Sequence, residues 1–389
     1  MRSRVAIDCR YIRERASGIG AYVRALVDRL PHLGPEIDWL LLRHPRANGP
    51  LSSAPNVREQ IVPYEPGGPV TMWALPDVVD LRGVDLFHAT FNLAPARLPC
   101  PVVTTIHDLM WLDSPEDCRV PGPWGLVETL FWRHGIGRAL KISERVLTVS
   151  EASRRRIVEH APHLSDRIDV TPLAIDDAWR PPRPGEQSTI ATARERYAKG
   201  AREIVLTVGQ AAGYKNHDGV LRAFARAFPD DQAIHLVLVQ RIGGSGPYRA
   251  LAAELGLEGR VHFHAAMPFE DLRALMWGAL CLCHPSHTEG FGLPVAEAMG
   301  TGLPVLTSNA SSLPEVTGGH AVHVDAHDDE AIAAGLLRLA SEPHLRAVLR
   351  TRGLVRSRER SWQRVAEGTL ESLRRALGAF GGEATREAG

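Results

Sequence analysis

The sequence predicts an α/β protein of two consecutive domains, each a parallel sheet covered by helices on both faces. Three observations predict it. The chain has 389 residues, too many for one ordinary core and enough for two domains. Short apolar runs alternate with amphipathic stretches of helical period, the pattern of a buried parallel sheet. The alternation stops once, at Trp179-Arg180-Pro181-Pro182-Arg183-Pro184-Gly185, a Pro-rich segment that reads as a linker, and then restarts. The expected domains are residues 1–177 and 178–361. Residues 362–389 are expected to form a helix packing back on the first domain, with a tail that frays after Leu377 at Gly378, Gly381 and Gly382.

In the first half, apolar runs predict strands at Arg4–Asp8, Trp39–Leu42, Leu86–His88, Val102–Ile106, Arg145–Val149 and Ile168–Thr171. Between them, helical periods cover Ala21–Leu30, Leu126–Leu140 and Glu151–His160, the last capped by Ser150. In the second half, strands are expected at Glu203–Val208, Ile234–Val239, Val261–Phe263, Leu280–Cys283, Pro304–Thr307 and Ala321–Val324. The helices there are Gly219–Ala227, Tyr248–Leu255, Phe269–Met276 and Pro294–Met299, with helical patterns from Asp328 onward. Two such domains define a cleft in which a ligand meets the carboxyl ends of strands from both sheets.

Composition narrows the function. Lys plus Arg equals Asp plus Glu, so the net charge is zero and nothing points to nucleic acid. No run approaches the ~18 apolar residues of a membrane span. The N-terminus reads as a first strand with no signal-peptide core, which predicts a cytoplasmic protein. Cys9, Cys100, Cys118, Cys281 and Cys283 are scattered and odd in number, as reduced, mostly buried thiols are. Cys281 and Cys283 with His284 and His287 leave a metal site conceivable, against a packed pair on an apolar strand. Only Lys141, Lys199 and Lys215 are lysines, so a lysine in an informative context stands out.

The most informative segment runs from Thr288 to Met299. Glu289 and Glu297, with seven residues between them, flank a Gly-rich turn and the start of an apolar helix. Pro294 suits a first helical turn, where its missing N–H would be unpaired anyway, so the helix should begin near Leu293. Gly290 and Gly292 let backbone approach a ligand, and free N–H groups at the helix start suit a diphosphate. Glu289 would lie on the loop at the mouth of the site, and Glu297, one turn in, could accept hydrogen bonds from a ribose. The plainer alternative is a capped helix with an acidic first turn. Lys215 ends a Gly-containing turn after a strand, placed to neutralise a phosphate as a compact charge; the alternative is a solvated surface lysine. Ser17-Gly18-Ile19-Gly20 opens the first helix, where its N–H groups could cap a phosphate, or forms an ordinary tight turn. It is not the dinucleotide fingerprint, since Val23 stands where a third glycine would be. His107-Asp108 ends an apolar strand. There a ring nitrogen could bond a substrate hydroxyl, with Asp108 or a backbone carbonyl holding the tautomer, or the ring could be satisfied inside the core.

With these residues on the page, the chain resembles the retaining glycosyltransferases of family four, which have the GT-B fold, over nearly its whole length. The segment His284–Pro294 with Glu297, the Lys215-Asn216 pair, the Ser17–Gly20 loop, His107-Asp108, Thr148–Ser153 and Ser311–Val316 carry the likeness; their order together is specific. The resemblance implies that Glu297 binds the donor ribose and that Lys215 holds the diphosphate. Gly290, Phe291 and Gly292 would offer backbone contacts to phosphate and sugar, within a donor-binding segment that includes His284 and Leu293. Glu289 and His107 would engage sugar hydroxyls, and the Gly18–Gly20 loop would face the phosphates. His107, Glu289 and Lys215 are the catalytic candidates. Family members usually carry Arg before the Lys-Asn pair, where this chain has Tyr214; Arg154 or Arg241 could compensate, or donor affinity is lower.

The expected chemistry follows. A nucleoside diphosphate leaving group needs charge stabilisation, which Lys215, helix N-termini and glycine N–H groups supply without a metal. No Asp-x-Asp motif stands at a suitable loop, although Asp328-Asp329 and Asp176-Asp177 occur as adjacent pairs. The expectation is metal-independent transfer, without cofactor, that retains anomeric configuration. The rival mechanism is double displacement through Glu289. The resemblance favours GDP-mannose as donor, with UDP-sugars close behind, and a glycan or lipid-linked acceptor in bacterial surface polysaccharide synthesis. A lipid-linked acceptor would make the enzyme peripheral to the inner membrane through Arg119, Trp124, Leu126, Phe131, Trp132 and Arg133, unless these belong to a core helix. A sugar-nucleotide epimerase and a catalytically silent nucleotide-binding scaffold are the other classes.

Overall fold

A computed structural model describes residues 2–14, 17–119, 122–240 and 245–387, with side chains as far as residue 379. The chain forms two compact units. Met1–Pro115, Arg119–Leu173 and Ser361–Gly389 make the first, and Glu116–Cys118 and Ala174–Arg360 the second.

Among the described residues the first unit holds seven parallel strands: β1 (Arg4–Asp8), β2 (Asp38–Arg43), β3 (Val57–Ile61), β4 (Leu86–Ala89), β5 (Val102–Ile106), β6 (Ser143–Thr148) and β7 (Ile168–Val170). Their spatial order is β3-β2-β1-β4-β5-β6-β7. Central strands β4 and β5 are buried along their whole length, which is why they read as apolar runs. The sequence does not announce β3. Its VREQI sets three polar residues between Val57 and Ile61, none of the five fully buried, as suits an edge strand exposed to water. Helices cover both faces, and Phe87, Val102, Ile106, Ile136 and Val146 share one of the cores. The first helix, Gly18–Val27, starts and stops about three residues before the expected Ala21–Leu30. It stops early because Pro31 lacks an N–H and opens a separate turn, Leu30–Leu33. The last helix, Trp362–Glu387, returns to this unit. Leu370, Leu373 and Ala376 are buried, Arg374 pairs with Glu36 at 2.6 Å and Arg375 with Asp169 at 3.0 Å. Its helical bounds extend past Gly378, Gly381 and Gly382 to Glu387.

The second unit holds six parallel strands among the described residues: β8 (Glu203–Gly209), β9 (Ile234–Gln240), β10 (Val261–His264), β11 (Cys281–His284), β12 (Val305–Ser308) and β13 (Val322–Val324). Their order, β10-β9-β8-β11-β12-β13, repeats the plan of the first sheet. In both sheets the chain reverses its direction of travel beside the first strand, so β1 neighbours β4 and β8 neighbours β11. Such a switch point leaves a crevice at the carboxyl ends of the two strands, the usual ligand position in open parallel sheets. The Pro-rich segment is folded onto this unit. Trp179 meets Phe269 edge-on at 4.7 Å, Arg180 pairs with Glu186 at 2.8 Å, and Trp277 Nε1 donates to the Arg180 carbonyl at 2.6 Å. A helix at Gln187–Tyr197 follows; it buries only Ala193 and so lacks an apolar stripe in the sequence. Among the described residues, no helix is long and apolar enough to cross a membrane, and no cluster of three or more His, Cys, Asp or Glu side chains is placed to hold a metal ion.

Candidate active site

The site is built at the switch point of the second sheet. β8 ends at Gly209, and the turn that follows carries Lys215 and Asn216 into the helix His217–Ala227. β11 ends at His284, and the next loop carries Ser286 and Glu289 to the helix Leu293–Thr301. Because β8 and β11 are neighbours, the two loops meet. Lys215 Nζ donates to Glu289 Oε1 at 2.5 Å. The same oxygen lies 2.8 Å from His284 Nε2 and accepts from Ser286 Oγ at 2.9 Å. Among the described residues no donor reaches Oε2. Lys215, His284 and Glu289 are 8%, 2% and 9% exposed, so the ion pair that Glu289 forms on this loop is buried. Gly209 makes room for this: a Cβ there would press on Lys215 Cδ at 3.3 Å.

The electrostatics follow from the geometry. Burial alone would raise the Glu289 carboxyl, but the Lys215 charge and the hydrogen bonds from His284 and Lys215 hold it well below the usual carboxylate range. At His284 burial outweighs the Glu289 carboxylate and lowers the ring's pKa. An ammonium has three N–H donors and Glu289 takes one from Lys215. The cluster therefore presents a carboxylate and a cation side by side, suited to a sugar hydroxyl and to a phosphate.

Backbone anchors hold the loop. Ser311, a non-glycine residue at φ 48°, accepts the Glu289 N–H on its Oγ at 2.8 Å. Ser312, fully buried, donates Oγ to the carbonyls of Glu289 at 3.0 Å and Phe291 at 2.9 Å. Asn216, also left-handed, donates Nδ2 to the carbonyls of Pro285 at 3.2 Å and Ala326 at 2.7 Å. The anchoring roles of Ser286, Ser311 and Ser312 were not read from the sequence, where these serines entered only within segments that carry the family likeness. Gly292 caps the helix Leu293–Thr301 at φ 95°, and Pro294 sits in its first turn. Gly290 and Leu293 are half-buried, Phe291 is buried with the Arg360 guanidinium 5.4 Å over its ring, and Glu297 is half-buried one turn in.

Tyr214 is buried, with its ring centroid 5.2 Å from the Lys215 ammonium and its hydroxyl bonded to the Gln210 side chain. An aromatic face thus supports the lysine from one side. Arg154 belongs to the first unit and pairs there with Glu151 at 3.6 Å. Arg241 lies outside the described residues.

In the first unit, His107 follows β5 and is 8% exposed. Its Nε2 lies 3.1 Å from the Thr90 carbonyl, which can only accept, so that nitrogen carries the proton and Nδ1 is left as an acceptor. Burial pulls this histidine down to about 4 against the Thr90 bond, so it stays neutral. Asp108 Oδ1 accepts from the Met110 N–H at 3.2 Å. Gly18 and Gly20 open the first helix. Ser17 Oγ takes the Gly20 N–H at 3.0 Å, so of the loop's N–H groups that of Gly20 is already used. Gly20 is a close-approach glycine: a Cβ would meet the Tyr11 carbonyl at 2.8 Å. Ser150 caps its helix by accepting from Ser153 N–H at 3.0 Å.

Residues 16–179 match the sequence model for Glycosyltransferase Family 4, and residues 190–355 that for Glycosyl transferases group 1. A D-inositol 3-phosphate glycosyltransferase of Nocardia farcinica is 34% identical over 316 residues, covering 77% of this chain and 68% of that protein. The O-antigen chain mannosyltransferase B of Escherichia coli is 28% identical over 353 residues, 90% of this chain and 88% of its own length. Among solved structures, WaaG, a glycosyltransferase involved in lipopolysaccharide biosynthesis, superposes with a TM-score of 0.71 at 17% identity over 94% of this chain and 98% of its own. HepE of Anabaena in complex with UDP-glucose gives 0.69 at 19% identity over 95% and 99%.

Proposed function

We propose the following function for this chain, which belongs to glycosyltransferase family 4 and is a glycosyltransferase of the GT-B fold: it transfers a hexose, mannose from GDP-mannose, to a glycan or lipid-linked acceptor in bacterial surface polysaccharide synthesis, on the cytoplasmic side of the membrane. The observation that carries it is the buried Lys215–Glu289 pair at the β8/β11 switch point, a cation for the departing diphosphate beside a carboxylate for the sugar. The likeness to the E. coli O-antigen mannosyltransferase supports mannose.

In this reading Lys215 and the N–H groups at the start of the helix Leu293–Thr301 stabilise the diphosphate as its bond to the anomeric carbon breaks. Glu297 holds the ribose. The acceptor oxygen bonds to the anomeric carbon on the face the leaving group departs, and its proton passes to the departing phosphate oxygen. Glu289 orients a sugar hydroxyl through Oε2, and His107 accepts another at Nδ1. Three donors on Glu289 Oε1 draw charge from the carboxylate, which favours this role over that of a nucleophile.

Calorimetry with GDP, UDP and ADP, followed by transfer from radiolabelled GDP-mannose, tests the proposal. Selective binding of GDP and transfer that leaves the α configuration support it. Preference for UDP assigns a UDP-sugar donor instead, and transfer to D-inositol 3-phosphate assigns the acceptor that the Nocardia relative's name states.

A further inference from the structure

The first unit holds a cavity of about 310 Å³ that no part of the proposed chemistry uses. It lies along β7, the edge strand of the seven-stranded sheet, between the first turn of the helix Glu151–His160 and the last helix. This is the scale of a small-molecule site. Ile168 and Val170 give it an apolar wall. Gly368 lets the last helix come close to the strand there, since a Cβ would meet Thr171 Cγ2 at 2.9 Å. Thr171 donates its N–H to the Thr148 carbonyl at 2.8 Å, so in the alternation of a parallel ladder Val170 turns its own N–H and C=O to the free edge.

The polar wall is a balanced set of ion pairs. Arg375 pairs with Asp169 at 3.0 Å and with Glu371, and Arg154 pairs with Glu151 at 3.6 Å. Arg145 donates to both oxygens of Asp169, Nε at 2.9 Å and Nη2 at 3.0 Å. Three guanidiniums thus offset three carboxylates. An ion of either sign that entered the cavity would meet its own sign beside each opposite charge, which leaves it little net attraction. A neutral polyol meets acceptors on the carboxylates and donors on the guanidiniums, and its C–H groups suit Ile168 and Val170. Ser372 lines the same cavity and is 1% exposed; its Oγ, beside the Asp169 carboxyl but beyond hydrogen-bond length, has no partner among the described residues. A buried hydroxyl left unpaired is costly, and a ligand hydroxyl in the cavity would meet it.

One helical turn joins the cavity to the site. Glu151 and Arg154 line the cavity, while Ser153 between them donates Oγ to the His107 carbonyl at 3.4 Å. A helix with its side chains is about 10–12 Å across, so the cavity stands roughly one helix width from His107. We propose that it is a second carbohydrate subsite, which holds sugar units of a glycan acceptor behind the unit that reacts. The proposal deepens the glycan-acceptor reading and rests on it for its purpose, but the binding of a neutral oligosaccharide by these residues does not depend on the donor.

The test is calorimetry and saturation-transfer NMR of the full chain, without nucleotide, against neutral oligosaccharides of mannose, glucose and galactose. The expected result is binding of at least one of them that salt leaves unchanged and that falls about ten-fold in Glu371→Ala and in Arg375→Ala, each of which removes a charged hydrogen-bonding group. Glu371→Gln keeps a hydrogen-bonding amide and should bind more tightly than Glu371→Ala. Both positions are exposed. Glu371 pairs only within its own helix among the described residues, so Glu371→Ala tests the cavity even where Arg375→Ala, which also releases Asp169, loosens the last helix. Absence of binding by every oligosaccharide, or equal binding by wild type and Glu371→Ala, overturns the proposal. So does displacement of the oligosaccharide by inorganic phosphate, since the cavity would then be an anion site. Calorimetry with GDP on the same variants, expected to be unchanged, separates the two readings: oligosaccharide binding without nucleotide binding sinks the donor assignment and leaves the subsite standing, and the converse keeps the donor and removes the subsite.

Discussion

Lys215 and Glu289 depend on each other for burial, and this decides how their variants behave. Removing the lysine leaves a carboxylate inside the protein without its cation, at a cost on the order of 3–5 kcal/mol. Lys215→Ala should therefore lower stability in urea by that amount, besides losing roughly 2–5 kcal/mol of diphosphate binding. The pair Lys215→Met, Glu289→Gln should recover most of the stability and none of the transfer. Equal stability losses in the single and paired variants would show that the ion pair is not what matters. Acid gives a second check. The fold depresses the Glu289 carboxyl, so the folded state binds this proton less readily than the unfolded chain. The stability it adds is complete above its ordinary value of 4.5 and is lost as pH falls through the folded value. The stability difference between wild type and Glu289→Gln should be constant from pH 5.5 to 8 and shrink below about pH 4.5; a difference independent of pH would contradict the pairing. The lysine was legible in the sequence through its rarity and the glutamate through its motif. That they meet was not, because 74 residues separate them and only the adjacency of β8 and β11 brings them together.

At the scale of elements, the start of the helix Leu293–Thr301 sets the loop that carries Glu289. Gly292 sits at φ 95°, and a Cβ there would come within 2.7 Å of Leu313 Cδ2. Gly292→Ala should therefore cost about 1–3 kcal/mol and reduce turnover, the strain being both backbone and packing. An unchanged melting temperature would show that the turn relaxes freely. Ser312→Ala takes the donor from the Glu289 and Phe291 carbonyls and should cost about 1–3 kcal/mol, with kcat falling more than donor affinity. The helix start was legible, since Pro294 and the glycines encode it locally. The anchoring by Ser311 and Ser312 was not, because a serine in a loop has many local partners and only packing selects a backbone N–H or carbonyl more than 20 residues away. The edge strand β3 escaped detection for a related reason: a strand half in water carries no continuous apolar run.

For the whole molecule, two consequences concern stability. Burial pulls His88 to about 3, His107 to about 4 and His217 to about 3. These groups are neutral when folded and protonate near 6.5 when unfolded, so the unfolded chain binds more protons in that interval and stability rises with pH across it. Melting temperature should climb from about pH 4.5 to 6.5 and then level; a flat profile would mean these rings are hydrated. The second consequence concerns the last helix. A chain ending at Arg360 would uncover the partners of Val365, Ala366, Leu370, Leu373 and Ala376, all buried. Calorimetry of that truncation should lose the transition of the first unit and keep that of the second. Two unchanged transitions would show that the helix is dispensable. By itself the sequence determined the α/β class, the restart after the Pro-rich segment, the central strands and the glycine and proline punctuation around Glu289, because periodicity and turn chemistry are local. Only the tertiary structure decided the order of strands, the closure of Lys215 on Glu289, the tautomer of His107 and the cavity between β7 and the last helix. Each of these depends on which distant segments pack together, and that is settled by the summed burial of the whole core.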